Sequence, residues 1–350
     1  MSLKELKQNW KFVSRIPKIL GVKYPIIQGA MSWLTDARLV AEVSNAGGLG
    51  MLGPHAGQTT NPSSDEEVIE RMRLEIRKVK SLTDNPYGVP VTVSANPAFI
   101  TKMVQLVLEE QVPVVLFNYL DEEQFQLIKS AGRKILFRPI DASPKNARQA
   151  EQAGADIIIA TGFDEGGSLP SKTIGTFSIT SQIVQTVNIP VMAAGGITDV
   201  NAVRSVFALG AEGVYAGTLF LGTEESRMAH NVKKMMLESS AVDLLLFRSA
   251  FSFYRSLPTP FAEKLVKMDK DGASTEEITE VLVSSQGMRV GMLEGNLEEG
   301  YVSFGNGITY INKIRPVKAV IEDVMQDFLE FNNEFEIESN FNPHSIQKMV

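Results

Sequence analysis

Two glycine-containing turns have the composition of a phosphate site. Gly195 and Gly196 end one apolar, strand-like segment, and Gly217 and Thr218 end the next, so that Gly217 follows Gly195 by 22 positions. Backbone N–H groups in such turns at the ends of parallel strands bind phosphate, and glycine lets the main chain approach the ligand closely. We therefore expect a monophosphate group to bind here. Two tight turns without a ligand are the alternative.

An acidic, glycine-rich segment offers acid–base groups. It reads Gly-Phe-Asp-Glu-Gly-Gly-Ser over residues 162–168. Asp164 and Glu165 could act as acid, base or cofactor contacts, and Gly166 and Gly167 would let the backbone approach a flat ring. The alternative is a solvated acidic loop.

A further glycine cluster, at 48–53, satisfies the spacing G-x-G-x-x-G. We reject a dinucleotide fingerprint because these glycines precede or form a strand and no helix opens directly after them. Close packing of the backbone is the preferred interpretation. His55, in the loop that follows, could titrate near neutral pH and take part in catalysis, and a surface histidine is the alternative.

Composition excludes several other chemistries. The chain has no cysteine and only three histidines, so we predict no disulfide, no thiolate nucleophile and no metal site. With 34 Lys and Arg against 41 Asp and Glu, the net charge is −7, and we expect neither nucleic acid nor an anionic membrane surface as a partner. No apolar run reaches the roughly 18 residues of a membrane span, and the N-terminus has no signal-type apolar stretch, so we expect a cytoplasmic protein.

The elements that must position these residues follow from a repeated alternation. Short apolar segments, most of them rich in Val and Ile, alternate with amphipathic helical patterns, several of which end in Ala-Gly or Leu-Gly. Such an alternation predicts an α/β fold with parallel strands, and its number of units favours a closed (β/α)8 TIM barrel over an open doubly wound sheet. The eight predicted strands are 25–28, 48–51, 89–93, 114–117, 135–138, 157–160, 191–194 and 213–216.

The chain, at 350 residues, is longer than the roughly 250 that a barrel domain needs. We expect the ligand-binding barrel to span residues 1–229 and 305–350. Residues 230–304 carry helical patterns and predict a helical insertion, or cap, after strand eight.

Five segments of the chain closely resemble a single family. They read Tyr-Pro-Ile-Ile-Gln-Gly-Ala-Met at 24–31, Asn-Ala-Gly-Gly-Leu-Gly at 45–50, Asp-Glu-Gly-Gly at 164–167, Ile-Pro-Val-Met-Ala-Ala-Gly-Gly-Ile at 189–197 and Gly-Thr-Leu-Phe at 217–220. In order and spacing they resemble the FMN-dependent nitronate monooxygenases, formerly called 2-nitropropane dioxygenases, whose relatives include the flavin-type enoyl-ACP reductases. The match runs from about residue 24 to residue 226.

The resemblance implies an FMN over the barrel mouth, with its phosphate at the two glycine turns, and the oxidation of small nitronates or a related anion. It also implies that the flavin ring faces the backbone of Gly29, Ala30 and Met31. Two positions depart from the family pattern. The family histidine after the Gly-Gly of strand six is here Ser168, which we keep as a catalytic candidate although a hydroxyl is no base near pH 7. The family asparagine in strand three is here Pro90.

Two alternative functions remain. An enoyl-ACP reductase would use NAD(P)H and would bind an acyl carrier protein, for which Arg248, Arg255 and Lys264 are candidate contacts. A flavin-binding sensor or scaffold without turnover would explain both departures. A homodimer is a further expectation.

Overall fold

Eight parallel strands form a closed barrel in the computed structural model, which describes residues 12–249, 252–284 and 287–328. The barrel strands are β1 (Ile26–Gln28), β2 (Leu49–Met51), β3 (Tyr87–Val91), β4 (Val114–Phe117), β5 (Lys134–Phe137), β6 (Ile157–Thr161), β8 (Val191–Ala194) and β9 (Gly213–Ala216). β1 pairs with β2 on one side and with β9 on the other, and this pairing closes the barrel. The closure confirms the predicted TIM barrel and excludes an open sheet.

Helices follow most barrel strands, as the alternation predicts. Several begin at a side-chain cap in which Asp, Ser or Asn accepts a hydrogen bond from the first turn. The helices are α1 (Ile16–Leu20), α2 (Ala37–Asn45), α3 (Asp65–Leu82), α4 (Pro97–Glu109), α5 (Glu122–Ser130), α6 (Pro144–Ala153), α7 (Thr176–Val184), α8 (Val200–Ala208), α9 (Thr218–Leu221), α10 (His230–Leu237), α11 (Pro260–Lys270), α12 (Thr275–Ser284) and α13 (Val317–Val324).

All eight predicted strands are present; three have the predicted bounds, and the bounds of the other five differ by one or two residues, most at β3. β3 begins two residues earlier than predicted and ends at Val91, while Val93 lies outside the strand with 54% of its surface exposed. In the cluster at 48–53, a Cβ on Gly50 would stand 2.3 Å from the backbone oxygen of Val40 in α2. Close packing of helix against strand therefore accounts for that glycine.

The region predicted as a helical cap also contains a β-hairpin. β10 (Leu245–Ser249) and β11 (Ser252–Ser256) pair antiparallel, and β11 also pairs with β7 (Gly167–Leu169), which follows barrel strand β6. The purely helical description of the cap is therefore corrected. The hairpin depends on pairing with β7, about 80 residues away in the chain, which local periodicity does not report.

Apolar side chains fill both the barrel and its joint with the cap. Inside the barrel, alternate strand residues such as Ile27, Leu136 and Met192 pack together with Ile16 and Leu20 of α1. A second cluster joins the barrel loops to the cap and contains Leu34, Leu221, Met292, Val302 and Phe304. The cap is thus packed onto the carboxyl ends of the strands, where active sites of such barrels are built.

Candidate functional site

A cavity lies at the carboxyl ends of the barrel strands, beneath the cap. The turns after β1, β6, β8 and β9 contribute to its wall together with the residue that follows β5 and several cap residues. It therefore brings together most of the residues predicted from the sequence. The predicted residues that line it are Gly29, Ala30, Met31, Glu165, Gly167, Gly195, Gly196, Gly217 and Thr218.

The two predicted phosphate turns adjoin each other on this wall. Gly195 and Gly196 both have positive φ, at 108° and 72°, and a Cβ on Gly195 would stand 2.6 Å from Oγ1 of Thr176. Only glycine adopts this backbone without strain. Within the described residues, the amides of Gly196, Gly217 and Thr218 have no protein acceptor. These N–H groups are donors available to a ligand.

The turn after β1 is built differently, because its amides are already used. The amide of Gly29 donates to the backbone oxygen of Ala216 at 2.9 Å, and the amide of Ala30 donates to the hydroxyl of Tyr215 at 2.9 Å. A Cβ on Gly29 would stand 2.7 Å from the ring of Tyr215. This part of the wall offers a ligand contact area rather than hydrogen-bond donors.

Asp164 is absent from the cavity lining and connects elements behind it. Its carboxylate accepts hydrogen bonds from the amide of Thr176 at 2.7 Å and from Nδ2 of Asn306 at 2.9 Å. These contacts fix the β6 turn to the start of α7 and to Asn306, in the segment that directly follows the cap. The predicted cofactor contact of Asp164 remains a prediction, and any contribution to the site would be made through these bonds.

Ser168 does not line the cavity. It is the middle residue of β7, opposite Tyr254 of β11, and its side chain is exposed while Gly167 and Leu169 are buried. Successive strand residues point to opposite faces, so the residue after Gly167 points away from the face that Gly167 presents. Its catalytic role remains a prediction, and this placement gives it no contact with the cavity.

His55 also stands outside the cavity lining. Its φ is 57°, and its ring stacks on Trp33 with 4.3 Å between ring centroids. Burial, together with the nearby Arg71, lowers the pKa of the imidazole. The neutral form is therefore favoured at neutral pH, and the predicted catalytic role remains untested.

Glu165 is the predicted acid–base residue that the structure does place in the cavity. Arg138, which follows β5, donates from Nη2 to Oε2 of Glu165, and both side chains line the cavity. Arg255 of β11 donates from Nη1 to the backbone oxygens of Phe163 and Glu165. Burial raises the pKa of Glu165 to about 7, although both arginines oppose the shift. A carboxyl with this pKa can hold or release a proton near neutral pH.

Sequence reasoning missed Arg138 and Tyr215. The guanidinium of Arg138 lies 5.3 Å from the ring centroid of Tyr215, and burial raises the pKa of that phenol, which therefore stays neutral. A signal for Arg138 was available, since a charged residue ends the predicted strand 135–138. The sequence carries no such signal for Tyr215, because tyrosine is an ordinary strand residue.

The cap supplies an apolar side to the cavity. Met288 and Met292 line it together with Leu34 and Leu221 from the barrel loops. A π-helix spans Arg289–Leu293, a rare geometry that is frequent at functional sites. This wall is suited to an uncharged part of a substrate.

The chain matches a known family model over most of its length. The model described as nitronate monooxygenase matches residues 13–99 and 91–327. The chain belongs to the nitronate monooxygenase family. This membership makes it an oxidoreductase and a flavoenzyme, and favours an enzyme over a sensor or scaffold without turnover. In the described part of the chain, no helix is long and apolar enough to cross a membrane, and no group of three metal-binding side chains occurs.

Individual relatives agree with this family. A probable nitronate monooxygenase of Staphylococcus saprophyticus is 34% identical over 278 residues, which cover 67% of this chain and 76% of the relative. One of Staphylococcus aureus is 29% identical over 303 residues, 74% of this chain and 82% of the relative.

Solved structures agree with the fold. FabK from Thermotoga maritima is similar with a TM-score of 0.79 and 34% identity, covering 90% of this chain and 96% of that one. A nitroalkane oxidase from Streptomyces ansochromogenes has a TM-score of 0.74 at 24% identity, with 89% and 97% covered, and shows the fold alone.

Proposed function

We propose that this family member binds FMN and oxidises small nitronates or a related small anion. One observation carries the proposal: the turns after β8 and β9 present unused amides of Gly196, Gly217 and Thr218 to the same cavity that Glu165 lines. These donors fit a phosphate, and the backbone around Gly29 fits the face of a ring. When bound, the flavin would accept electrons from the substrate.

The side chains of the cavity define what the protein itself contributes. A nitronate is already an anion near neutral pH, so its oxidation needs orientation and exclusion of water more than it needs a base. Arg138 supplies positive charge, and the wall formed by Leu34, Met288 and Met292 excludes water. Glu165 is the group that holds a proton at the cavity. This division of roles requires no contact between Ser168 and the cavity.

Two measurements test the proposed function. Purified protein should carry non-covalent FMN, released by denaturation and identified by its absorbance and mass. Anaerobic mixing with an alkyl nitronate should then bleach the visible absorbance of the oxidised flavin, because the flavin accepts the electrons of the substrate. Flavin that stays oxidised with every nitronate tested would contradict the substrate class, and a protein that cannot be loaded with FMN would contradict the cofactor.

Enoyl reduction is the second candidate, favoured by the structural similarity to FabK. It requires that NADH or NADPH bleach the flavin anaerobically, and it requires a basic surface for the acidic carrier protein. Two of the predicted contacts do not offer such a surface, since Arg255 is buried and Arg248 pairs with Asp269. Lys264 is exposed. If neither NADH nor NADPH reduces the flavin, this candidate is excluded. The predicted homodimer remains a separate expectation.

A further inference from the structure

Arg138 has more hydrogen-bond donors than the protein uses. Among the described residues, the only acceptor assigned to its guanidinium is the carboxylate of Glu165, bonded to Nη2. Nε is buried and has no partner in that same part of the chain. A buried donor without an acceptor costs stability, and costs more when the group is charged, unless a ligand satisfies it. The unused donors therefore point to an acceptor that the cavity is built to receive.

The charges around this pair restrict what that acceptor can be. Arg138 and Glu165 together carry no net charge when both are ionised. Arg255, from β11, adds a positive charge near Glu165, Asp164 opposes it, and Tyr215 of β9 is neutral. An anion that approaches Arg138 meets a favourable guanidinium and an unfavourable carboxylate. Placing two negative charges in a half-buried site is costly.

A proton on Glu165 removes this conflict. Because burial already raises the pKa of Glu165 to about 7, protonation near neutral pH costs little free energy. A neutral Glu165 would leave Arg138 with a full positive charge and a planar set of N–H groups. Such a fork matches a flat oxyanion that accepts two parallel hydrogen bonds.

We propose that Arg138 and Glu165 form a proton-coupled receptor for a small planar oxyanion, in which the anion binds the guanidinium of Arg138 while Glu165 takes up one proton from solvent. No covalent or redox step is involved. The ligand is the anionic head of the substrate in the proposed function, on which this inference rests. Its uncharged part would face Met288 and Met292.

Calorimetric titration of the FMN-loaded protein with nitrate tests the proposal, since nitrate is planar, anionic and not oxidised. Titrations in two buffers of different ionisation enthalpy count the protons exchanged. Above pH 7 we expect uptake of about one proton per nitrate and a dissociation constant that rises about tenfold per pH unit, because Glu165 must first be protonated. Below pH 6 we expect little uptake and constant affinity.

Three variants assign the effect to its residues. Glu165→Gln should bind nitrate with no proton uptake and with constant affinity from pH 6 to 9. Arg138→Met should lower nitrate affinity at least tenfold at pH 6, whereas Arg148→Met, which removes an exposed arginine, should leave it unchanged. If Arg138→Met does not fold, Glu165→Gln alone tests the proposal. The pH dependence of nitrate affinity must disappear in the folded Glu165→Gln variant.

The outcomes separate this inference from the proposed function. Nitrate binding without proton uptake would contradict the proposed receptor. So would a pH dependence of nitrate affinity that persists in Glu165→Gln. If the wild-type protein nevertheless binds FMN and oxidises nitronates, the proposed function stands while the receptor fails. Proton-coupled nitrate binding in a protein that oxidises no nitronate supports the receptor and contradicts the proposed substrate.

Discussion

Glu165 gives up its proton less readily in the folded chain than in the unfolded chain, because burial raises its pKa to about 7 from an ordinary value of 4.5. A carboxyl shifted upward stabilises the folded state fully below its unfolded pKa, and this stability is lost as the pH rises through 7. Between pH 5 and pH 8 the free energy of unfolding should therefore fall by about 1–3 kcal/mol less in Glu165→Gln than in the wild type. Urea unfolding at the two pH values measures this.

The exposed Glu280 provides the matched control. Glu280→Gln should leave the difference between the two pH values as it is in the wild type, since this side chain is already exposed to solvent in the folded protein. Equal pH dependence in Glu165→Gln and the wild type would mean that Glu165 titrates in the folded protein as it does in water.

Gly196 tests the phosphate turn. Its φ is 72°, and a Cβ on Gly196 would stand 3.2 Å from Cβ of Asp164, so Gly196→Ala strains the turn that carries the unused amide. We expect a loss of about 1 kcal/mol in stability and at least a tenfold loss in FMN affinity, measured by fluorescence quenching on titration with FMN.

A control at Gly132 separates the loss of stability from the loss of FMN affinity. Its φ is 73°, and a Cβ there would meet nothing within 4 Å. Gly132→Ala should therefore show a similar backbone cost with unchanged FMN affinity. If both variants lose FMN equally, the turn at Gly196 has no special role in binding.

At the scale of the element, the alternation of side chains along β7 determines that the side chain at position 168 is exposed. A histidine in its place would follow the exposed face of the strand rather than enter the cavity. We therefore expect Ser168→His to keep FMN affinity and nitronate turnover within about twofold of the wild type, since the site depends on positioned groups that the substitution does not touch. Steady-state oxygen consumption across pH 6–9 checks this, and a new pH-dependent rise in rate would show that position 168 reaches the substrate.

The elements themselves could largely be predicted from the sequence. Runs of Val and Ile bounded by glycine and proline are a local signal, and all eight barrel strands followed from it. The hairpin of β10 and β11 could not be predicted, because Arg248, Ser249 and Arg255 interrupt any apolar alternation and its partner is β7. The same limit applies to the site: the glycine turns have a local signature, whereas the pair of Arg138 and Glu165 joins the ends of the neighbouring strands β5 and β6 through a side-chain contact that no local pattern reports.

At the scale of the molecule, the cap and the barrel share one apolar cluster. Phe304 of the cap is fully buried in it, among Leu34 and Leu221 of the barrel and Met292 of the π-helix. The backbone around Phe304 also lies close to the β6 turn, since a Cβ on Gly166 would stand 2.5 Å from it. Packing of the cap therefore supports the same turn that carries Glu165.

This shared packing predicts that the cap and barrel unfold together. Phe304→Ala should lower the free energy of unfolding by about 3–5 kcal/mol, because it leaves a cavity at the joint, and should lower FMN affinity in parallel. Phe177→Ala, at a position with 68% of its surface exposed, should change neither. Urea unfolding followed by far-UV circular dichroism and by intrinsic fluorescence should give one coincident transition in both variants. Two separate transitions in Phe304→Ala, with FMN still bound after the first, would show instead that the barrel holds its ligand without the cap.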